Sequence, residues 1–340
     1  MQLEQRTVSN ALGTVLLHNV MDETGTRILK KGTHLTETHL AQLAEIGRQR
    51  VQVAVLDEGD VAEDEAARTL AEALQTPELE CLRPMGGRIN LRATVDGLLL
   101  VDEERLLSLN LLPGFALASR RQHTVVGPSQ ETDNVATLKI VPFAVRRSDL
   151  DRALALAEGE PGILELRPFE PGRRVAMLFV ADPAVHDKLR KQYLPPTKAR
   201  LARLRAELVE TEDVVQEETV IAEAAARLAS KVDLLIVAGQ TSIMDENDTT
   251  LRALRSAGAE GTLSGAPVEP GNMLALAYLP GPTDSIPVMC APGCAKGLKR
   301  NVVDIVLPRL LLGDRLMRKD VAALGLGGFL TPAERGGDIT

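Results

Sequence analysis

A chain of 340 residues is long enough for two or three domains with ample core, and 44% hydrophobic with 25% charged residues is a globular composition. No apolar run approaches the roughly 20 residues of a transmembrane helix, which argues against a membrane partner. A net charge of −8, 2% aromatics and no tryptophan argue against nucleic-acid binding, which needs a basic face and stacking platforms; an anionic small ligand needs only a local positive site and stays open.

The first residues lack a basic-then-apolar signal pattern. Three cysteines without a CxxC pair fit a reduced, cytoplasmic protein. Residues 1–76 read as a small α/β region. Strands are expected at 14–17 and 27–29, then a helix with Leu40, Leu43 and Ile46 on one face, stopped by Gly47. An alternating strand at 50–56 and a helix at 60–73 follow. His18, His34 and His39 lack tight ligand spacing and read as surface residues before they read as a metal site. The 30–32 segment, Lys-Lys-Gly, reads as an exposed turn, with an anion contact as the alternative.

Residues 77–147 read as a β-rich module. Strands are expected at 88–91, 97–101, 115–118 and 136–143, with a short helix at 102–111. Asn90 and Lys139 are its polar candidates, and local satisfaction is the simpler role for each. From 148 to about 330 the pattern turns α/β. A buried strand at 175–181 precedes a long helix that Pro195 and Pro196 should kink or restart. A strand near 208–209 and a helix at 216–229 come next. Further strands are expected at 261–264, 273–278 and 286–290, and a helix at 295–312. Strands alternating with helices imply a mostly parallel, doubly wound sheet. The tail, 331–340, reads as flexible.

The most informative stretch is 232–259. An almost wholly apolar strand ends at Gly239 and gives way to Gln240, Thr241, Ser242, Asp245 and Asp248; Leu251 and Leu254 then recur at helical spacing. Ligands of α/β sheets sit at such strand ends. Gly239 allows close backbone approach, and Thr241 and Ser242 supply hydroxyls beside a helix start. Asp245 and Asp248 would repel a phosphate unless a cation such as Mg²⁺ bridged them. Alternatively, Asp248 is a helix N-cap and Asp245 a solvated loop residue.

Two further loops should face this one. The strand at 286–290 ends at Ala291, Pro292, Gly293 and Cys294, and Lys296, Lys299 and Arg300 fall in the expected first turns of the next helix. Cations there oppose the helix dipole at about 0.3–1 kcal/mol each unless an anion binds. A thiol so placed would ionise more easily, making Cys294 a candidate soft ligand or nucleophile, while Cys290 reads as the buried end of a strand. Residues 266–272, with two prolines and Gly271, form either a pocket wall or a plain connection.

In this order and spacing, AGQTSIMDENDTT (238–250), APVEPGNMLAL (266–276) and APGCAKGLKRN (291–301) resemble the molybdopterin-binding domain. That fold is shared by the molybdenumtransferases and adenylyltransferases of molybdenum-cofactor biosynthesis. The resemblance is closest to molybdopterin-binding proteins found with xanthine-dehydrogenase-type enzymes, whose N-terminal portion is like residues 13–16 through 60–65. It implies an α/β class, a mostly parallel three-layer sheet domain preceded by the small α/β region and the β-rich module. It also implies molybdopterin or the molybdenum cofactor as ligand. Gly239, Thr241, Ser242, Asp245 and Asp248 would contact the pterin phosphate or its Mg²⁺, with the two aspartates as the catalytic and metal candidates. Gly271, Pro292 and Gly293 would shape the pocket, and Gln240, Asn272, Cys294 and Lys296 stand on the same loops.

There are departures. Gln240 replaces a second glycine, Glu269 and Asn272 stand where molybdenumtransferases have lysines, and Gly293-Cys294-Ala295 replaces a Gly-Asn-Pro turn. Cofactor binding survives these changes better than molybdate insertion. The chain is expected to end too early for the cytidine-attaching domain of some relatives. The expectation is therefore a pterin-binding protein acting in cofactor maturation for a molybdenum hydroxylase. A molybdoenzyme or a nucleotidyltransferase is its expected partner, and a homo-oligomer is allowed. The alternatives are a Mg²⁺-dependent molybdenumtransferase and a non-catalytic scaffold.

Overall fold

The computed structural model describes residues 1–129, 133–282 and 284–328. The expected tail, 331–340, lies outside the described residues. The chain divides into two compact units, Met1–Leu166 and Arg167–Thr340.

In the first unit, Gln2–Thr7 pairs antiparallel with Arg50–Val55, which also pairs with Val15–Leu16. Val51 and Val53 point into a core shared with Leu35 and Leu43. His39 has a structural role: its Nδ1 accepts the Thr36 N–H at 3.2 Å, capping the helix Glu37–Glu45. Residues 60–62, expected to start a helix, instead pair as a short strand with Ala144–Arg146. The helix begins at Glu63, where Glu63, Asp64 and Glu65 suit the positive end of its dipole, and it runs to Leu74.

The β-rich segment forms a four-stranded antiparallel sheet in the order Phe115–Ser119, Asn134–Ile140, Arg88–Ala93, Leu79–Cys81. Its polar candidates are satisfied locally: Asn90 accepts from Thr137 Oγ1 at 2.9 Å and Lys139 donates to Glu63 at 3.1 Å. Residues 148–166, expected to open the α/β domain, belong to this unit. Leu150, Ala153 and Ala157 of the helix Arg147–Ala157 share one buried cluster with Leu70, Leu91 and Leu138. Apolar packing, which a strand–helix alternation does not reveal, sets that boundary.

The second unit is an α/β domain built on six strands: β1 (Arg173–Val180), β2 (Ala206–Val214), β3 (Leu234–Gly239), β4 (Glu260–Ser264), β5 (Ala275–Pro280) and β6 (Ser285–Cys290). They lie in the order β2-β1-β3-β6-β5-β4. β1, β2, β3 and β6 are parallel, and β5 runs antiparallel to both neighbours. The helices are α1 (His186–Arg203), α2 (Glu218–Ala229), α3 (Thr249–Ser256) and α4 (Val303–Leu311). Ala176, Leu178 and Val180 cluster with Ile221 of α2 and Leu251 of α3. The alternate residues Val175, Met177 and Phe179 are also buried and so face the opposite side, where α1 packs. The unit therefore has three layers, and burial on both faces accounts for the uninterrupted apolar strands.

α1 departs from expectation. It runs unbroken through Pro195 and Pro196 because its buried face, including Tyr193, Pro196, Thr197 and Leu201, holds the segment in place. Tertiary packing here outweighs the backbone hydrogen bonds that proline removes.

Candidate functional site

The parallel strands place the ends of β1, β3 and β6 side by side, and the backbone ladder continues beyond them. Gln240 N donates to Val180 O at 2.9 Å and Ala291 N donates to Val237 O at 2.8 Å. The Gln240 side chain is engaged locally: its Oε1 accepts the Asp182 N–H at 3.0 Å, tying the loop after β1 to the loop after β3. At Gly239 a Cβ would stand 2.7 Å from Thr241 O, so the turn into the polar loop closes only around glycine.

The three expected loops do meet. A Cβ on Gly293 would lie 4.0 Å from Ser242 Oγ, which puts the loops after β3 and β6 next to each other with room between them. Gly271 has φ +137° and rests against Val302, whose Cβ and Cγ1 any side chain at 271 would overlap. Val302 N donates to Pro270 O at 3.2 Å, so the 266–272 loop is clasped to the start of α4. Asn272 is exposed and its amide donates to Glu269 at 3.2 Å.

Asp248 caps α3, its Oδ1 accepting the Thr250 N–H at 2.8 Å, and Asp245 Oδ1 accepts the Asn247 N–H at 2.6 Å. The capping role thus belongs to Asp248, and each carboxylate keeps its second oxygen. Among the described residues no group of three or more His, Cys, Asp or Glu could hold a metal ion. Two carboxylates with one oxygen each suit Mg²⁺ only if ligand phosphate and water complete the shell, as is common for this ion.

The segment 291–301 differs from the expected helix. Gly293–Lys296 is a single 3₁₀ turn, and α4 begins only at Val303. Gly297 ends the turn, and Asn301 starts the helix by accepting the Val303 N–H on Oδ1 at 3.0 Å. Lys296 and Lys299 therefore do not oppose a helix dipole, and the dipole argument for an anion falls away. Lys296 instead places Nζ 5.2 Å from the Tyr193 ring centroid. The ring hydroxyl donates to Pro292 O at 3.4 Å, fixing the turn from below.

Cys294 departs from the reactive reading, whereas Cys290 is the buried strand end that was expected. Burial pushes Cys294 up to about 11. Burial, with a smaller contribution from the Asp248 charge, pushes Cys290 up to about 12. Neither is an activated nucleophile at neutral pH.

Arg200, Asn301 and Asp304 organise the segment, and sequence reasoning passed over them. Arg200 of α1 donates from Nε to Asp304 at 2.7 Å, from Nη1 to Ala295 O at 3.2 Å and from Nη2 to Gly297 O at 2.9 Å. Asp304 also accepts the Asn301 N–H at 2.8 Å, and the Asn301 amide donates to Lys299 O at 2.9 Å and Cys294 O at 3.3 Å. The sequence held two signals. Arg200 falls on the apolar stripe Leu189, Tyr193, Pro196, Leu201, and Asn301 stands where a helix start is marked. Near the end of β2, Arg190 grips both oxygens of Asp213, with Nε at 2.9 and 3.1 Å, and His186 Nε2 donates to Val214 O at 3.1 Å.

Strands and loops together define an α/β domain with a mostly parallel sheet and the loops after β3 and β6 gathered at its carboxyl edge. In the first unit, residues 5–55 match a family described as Domain of unknown function (DUF8806). No curated protein matches the chain. A molybdenum cofactor biosynthesis protein from Pyrococcus furiosus is 12% identical with a TM-score of 0.24; the match covers 95% of this chain but only 65% of that one. The molybdopterin biosynthesis enzyme MoaB from Thermus thermophilus is 20% identical over 41% of this chain and 92% of its own, with a TM-score of 0.32. The molybdopterin biosynthesis MoeA protein from Pyrococcus horikoshii is 11% identical over 92% of this chain and 75% of its own, with a TM-score of 0.29. At these scores the fold assignment rests on the strand order and layers described above. No helix among the described residues is long and apolar enough to cross a membrane.

Proposed function

We propose that the second unit binds molybdopterin at the carboxyl ends of β1, β3 and β6 and acts in biosynthesis or maturation of the molybdenum cofactor for a molybdenum hydroxylase. The observation that carries this reading is the approach of Ser242 to Gly293, which brings two of the three motif loops together at one edge of the sheet. Thr241 and Ser242 hydroxyls would hold the terminal phosphate. Gly271, Asn272, Pro292 and Gly293 would shape the wall against the pterin, with Cys294 as a neutral, half-buried neighbour. Lys296, kept in place over Tyr193, would supply positive charge at the rim. Gln240 would act through backbone geometry, since its side chain is already bonded to Asp182. The protein would work in the cytoplasm and pass its ligand to a molybdoenzyme or a nucleotidyltransferase, as a monomer or a homo-oligomer.

A second reading, a Mg²⁺-dependent molybdenumtransferase, is favoured by the position of Asp245 and Asp248 on one turn, each with a carboxylate oxygen to spare. The metal would offset phosphate charge, and the two aspartates would hold it.

Both readings are tested by purifying the protein from a cofactor-producing host, oxidising it and analysing released fluorescent pterin by chromatography and mass. Stoichiometric pterin is expected. No pterin, even after incubation with excess cofactor, sinks both readings and leaves a scaffold. Release of AMP from adenylylated molybdopterin, dependent on molybdate and Mg²⁺, separates the enzyme from the carrier.

A further inference from the structure

A cavity of about 720 Å³ opens at the other end of the same sheet, among the amino ends of β1, β3 and β6 and the carboxyl end of α4. It lies opposite the motif loops, so it is no part of the pterin site. Its volume falls in the range of about 300–1,000 Å³ that holds small molecules.

The charges around it are unevenly engaged. Asp314 is bridged by Arg167 at 2.7 Å and Arg309 at 3.0 Å. Asp233 accepts the Arg174 N–H at 2.7 Å and lies 3.6 Å from the Arg173 guanidinium. Asp284 accepts the Ser285 N–H at 2.6 Å. The carboxylates are thus occupied, whereas the exposed Arg174 guanidinium has no hydrogen bond or ion pair among the described residues.

Arg315 is already in position on another wall. Its guanidinium stacks 4.5 Å from the Tyr278 ring centroid, and Nη1 donates to Ser285 Oγ at 2.9 Å. Tyr278 is itself held, its hydroxyl accepting the Leu316 N–H at 2.6 Å. Among the described residues Arg315 pairs with Glu260, 81% exposed and 3.6 Å away, a pairing that water and salt weaken. A guanidinium held by a ring and a hydroxyl loses little freedom when it binds an anion, and its planar fork suits phosphate or carboxylate oxygens.

We propose that this cavity binds a small polyanion whose phosphate or carboxylate groups span Arg174 and Arg315. The site is independent of the pterin reading.

The test is calorimetric titration of the intact protein with inorganic phosphate, pyrophosphate and citrate. Saturable binding of at least one of them is expected, with Kd below about 1 mM. Affinity should fall at least about tenfold in Arg174→Ala and in Arg315→Ala and stay unchanged in Lys296→Ala. Because Arg315 packs on Tyr278, Arg174→Ala is the decisive variant: it keeps the backbone bond to Asp233 and should fold as the parent does. No saturable binding up to about 10 mM of any probe, or equal affinity in Arg174→Ala, overturns the proposal. Loss of binding in Lys296→Ala alone would put the anion at the motif loops and overturn it as well.

Discussion

Arg200 Nε and Asp304 Oδ1 meet at 2.7 Å where the Arg200 side chain is only 3% exposed. The pair joins α1 to α4 and, through Ala295 O and Gly297 O, sets the course of the chain between them. A charge this deeply buried costs more to orphan than the pair gains as a whole. Asp304→Ala, which strips Arg200 of its counter-charge, should lower stability by about 3–5 kcal/mol, read as a shift of the urea midpoint. Arg200→Lys should rescue little, since one ammonium cannot serve a carboxylate and two separate carbonyls in the same geometry. A midpoint unchanged in Asp304→Ala would show that the network does not hold the segment.

Gly271 and Gly293 should respond in opposite ways to alanine. At Gly271 the new methyl meets Val302 and the backbone has φ +137°, so Gly271→Ala should destabilise the fold by about 1–3 kcal/mol or more. At Gly293 the methyl meets only Ser242 Oγ, at 4.0 Å, so stability should change by no more than about 0.5 kcal/mol. The space lost lies between the loops, so pterin affinity should fall while the melting curve stays put. Equal affinity for pterin in Gly293→Ala would remove that turn from the site.

Asp248 has a structural duty and a proposed ligand duty, and two substitutions separate them. Asp248→Ala removes the cap on Thr250 N–H and should cost about 0.5–2 kcal/mol. Asp248→Asn keeps an oxygen for the cap and loses the charge. It should stay within a few tenths of a kcal/mol of the parent in stability, since the two residues cap about equally well. It should nevertheless reduce any Mg²⁺-dependent increase in pterin affinity. Identical Mg²⁺ dependence in Asp248→Asn and the parent would rule the residue out as a metal ligand.

The layered second unit was legible because burial on both faces writes itself as apolar runs: residues 234–238 could form little else. The strands of the β-rich segment were legible for the complementary reason, alternation, as in Ala136, Leu138 and Ile140. What periodicity missed were places where one side chain decides the local path. Apolar spacing from Leu298 through Val302 and Ile305 reads as one long helix, yet Gly297 and the Asn301 side chain delay its start to Val303. Arg200 was passed over because charge suggests solvent, and only its place on an apolar stripe says otherwise. The domain boundary was missed because Leu150 and Ala153 look the same in sequence whichever core they join.

The thiols yield a prediction in pH. With its proton held up to about 11 against an ordinary 9.0, Cys294 carries about a hundredfold less thiolate at pH 8 than a free thiol. Iodoacetamide should therefore modify the native protein slowly at pH 8, with a rate still climbing above pH 10. Unfolding in urea should restore ordinary thiol reactivity. Fast single-site labelling of native protein at pH 8 would contradict this.

One border of the six-stranded sheet is β2, whose outer side offers backbone groups to any strand that arrives. Glu207, Glu210, Glu212 and Asp213 lie along that strand, with Lys231, Arg227 and Arg190 answering Glu210, Glu212 and Asp213. Two copies meeting there antiparallel would bring carboxylates against carboxylates, and like charges placed opposite each other disfavour the approach. Neutral residues at those four positions would remove that repulsion and leave the border a template for growth by strand addition. Side-chain charge along this one strand, more than protein concentration, should set whether copies of the chain join edge to edge.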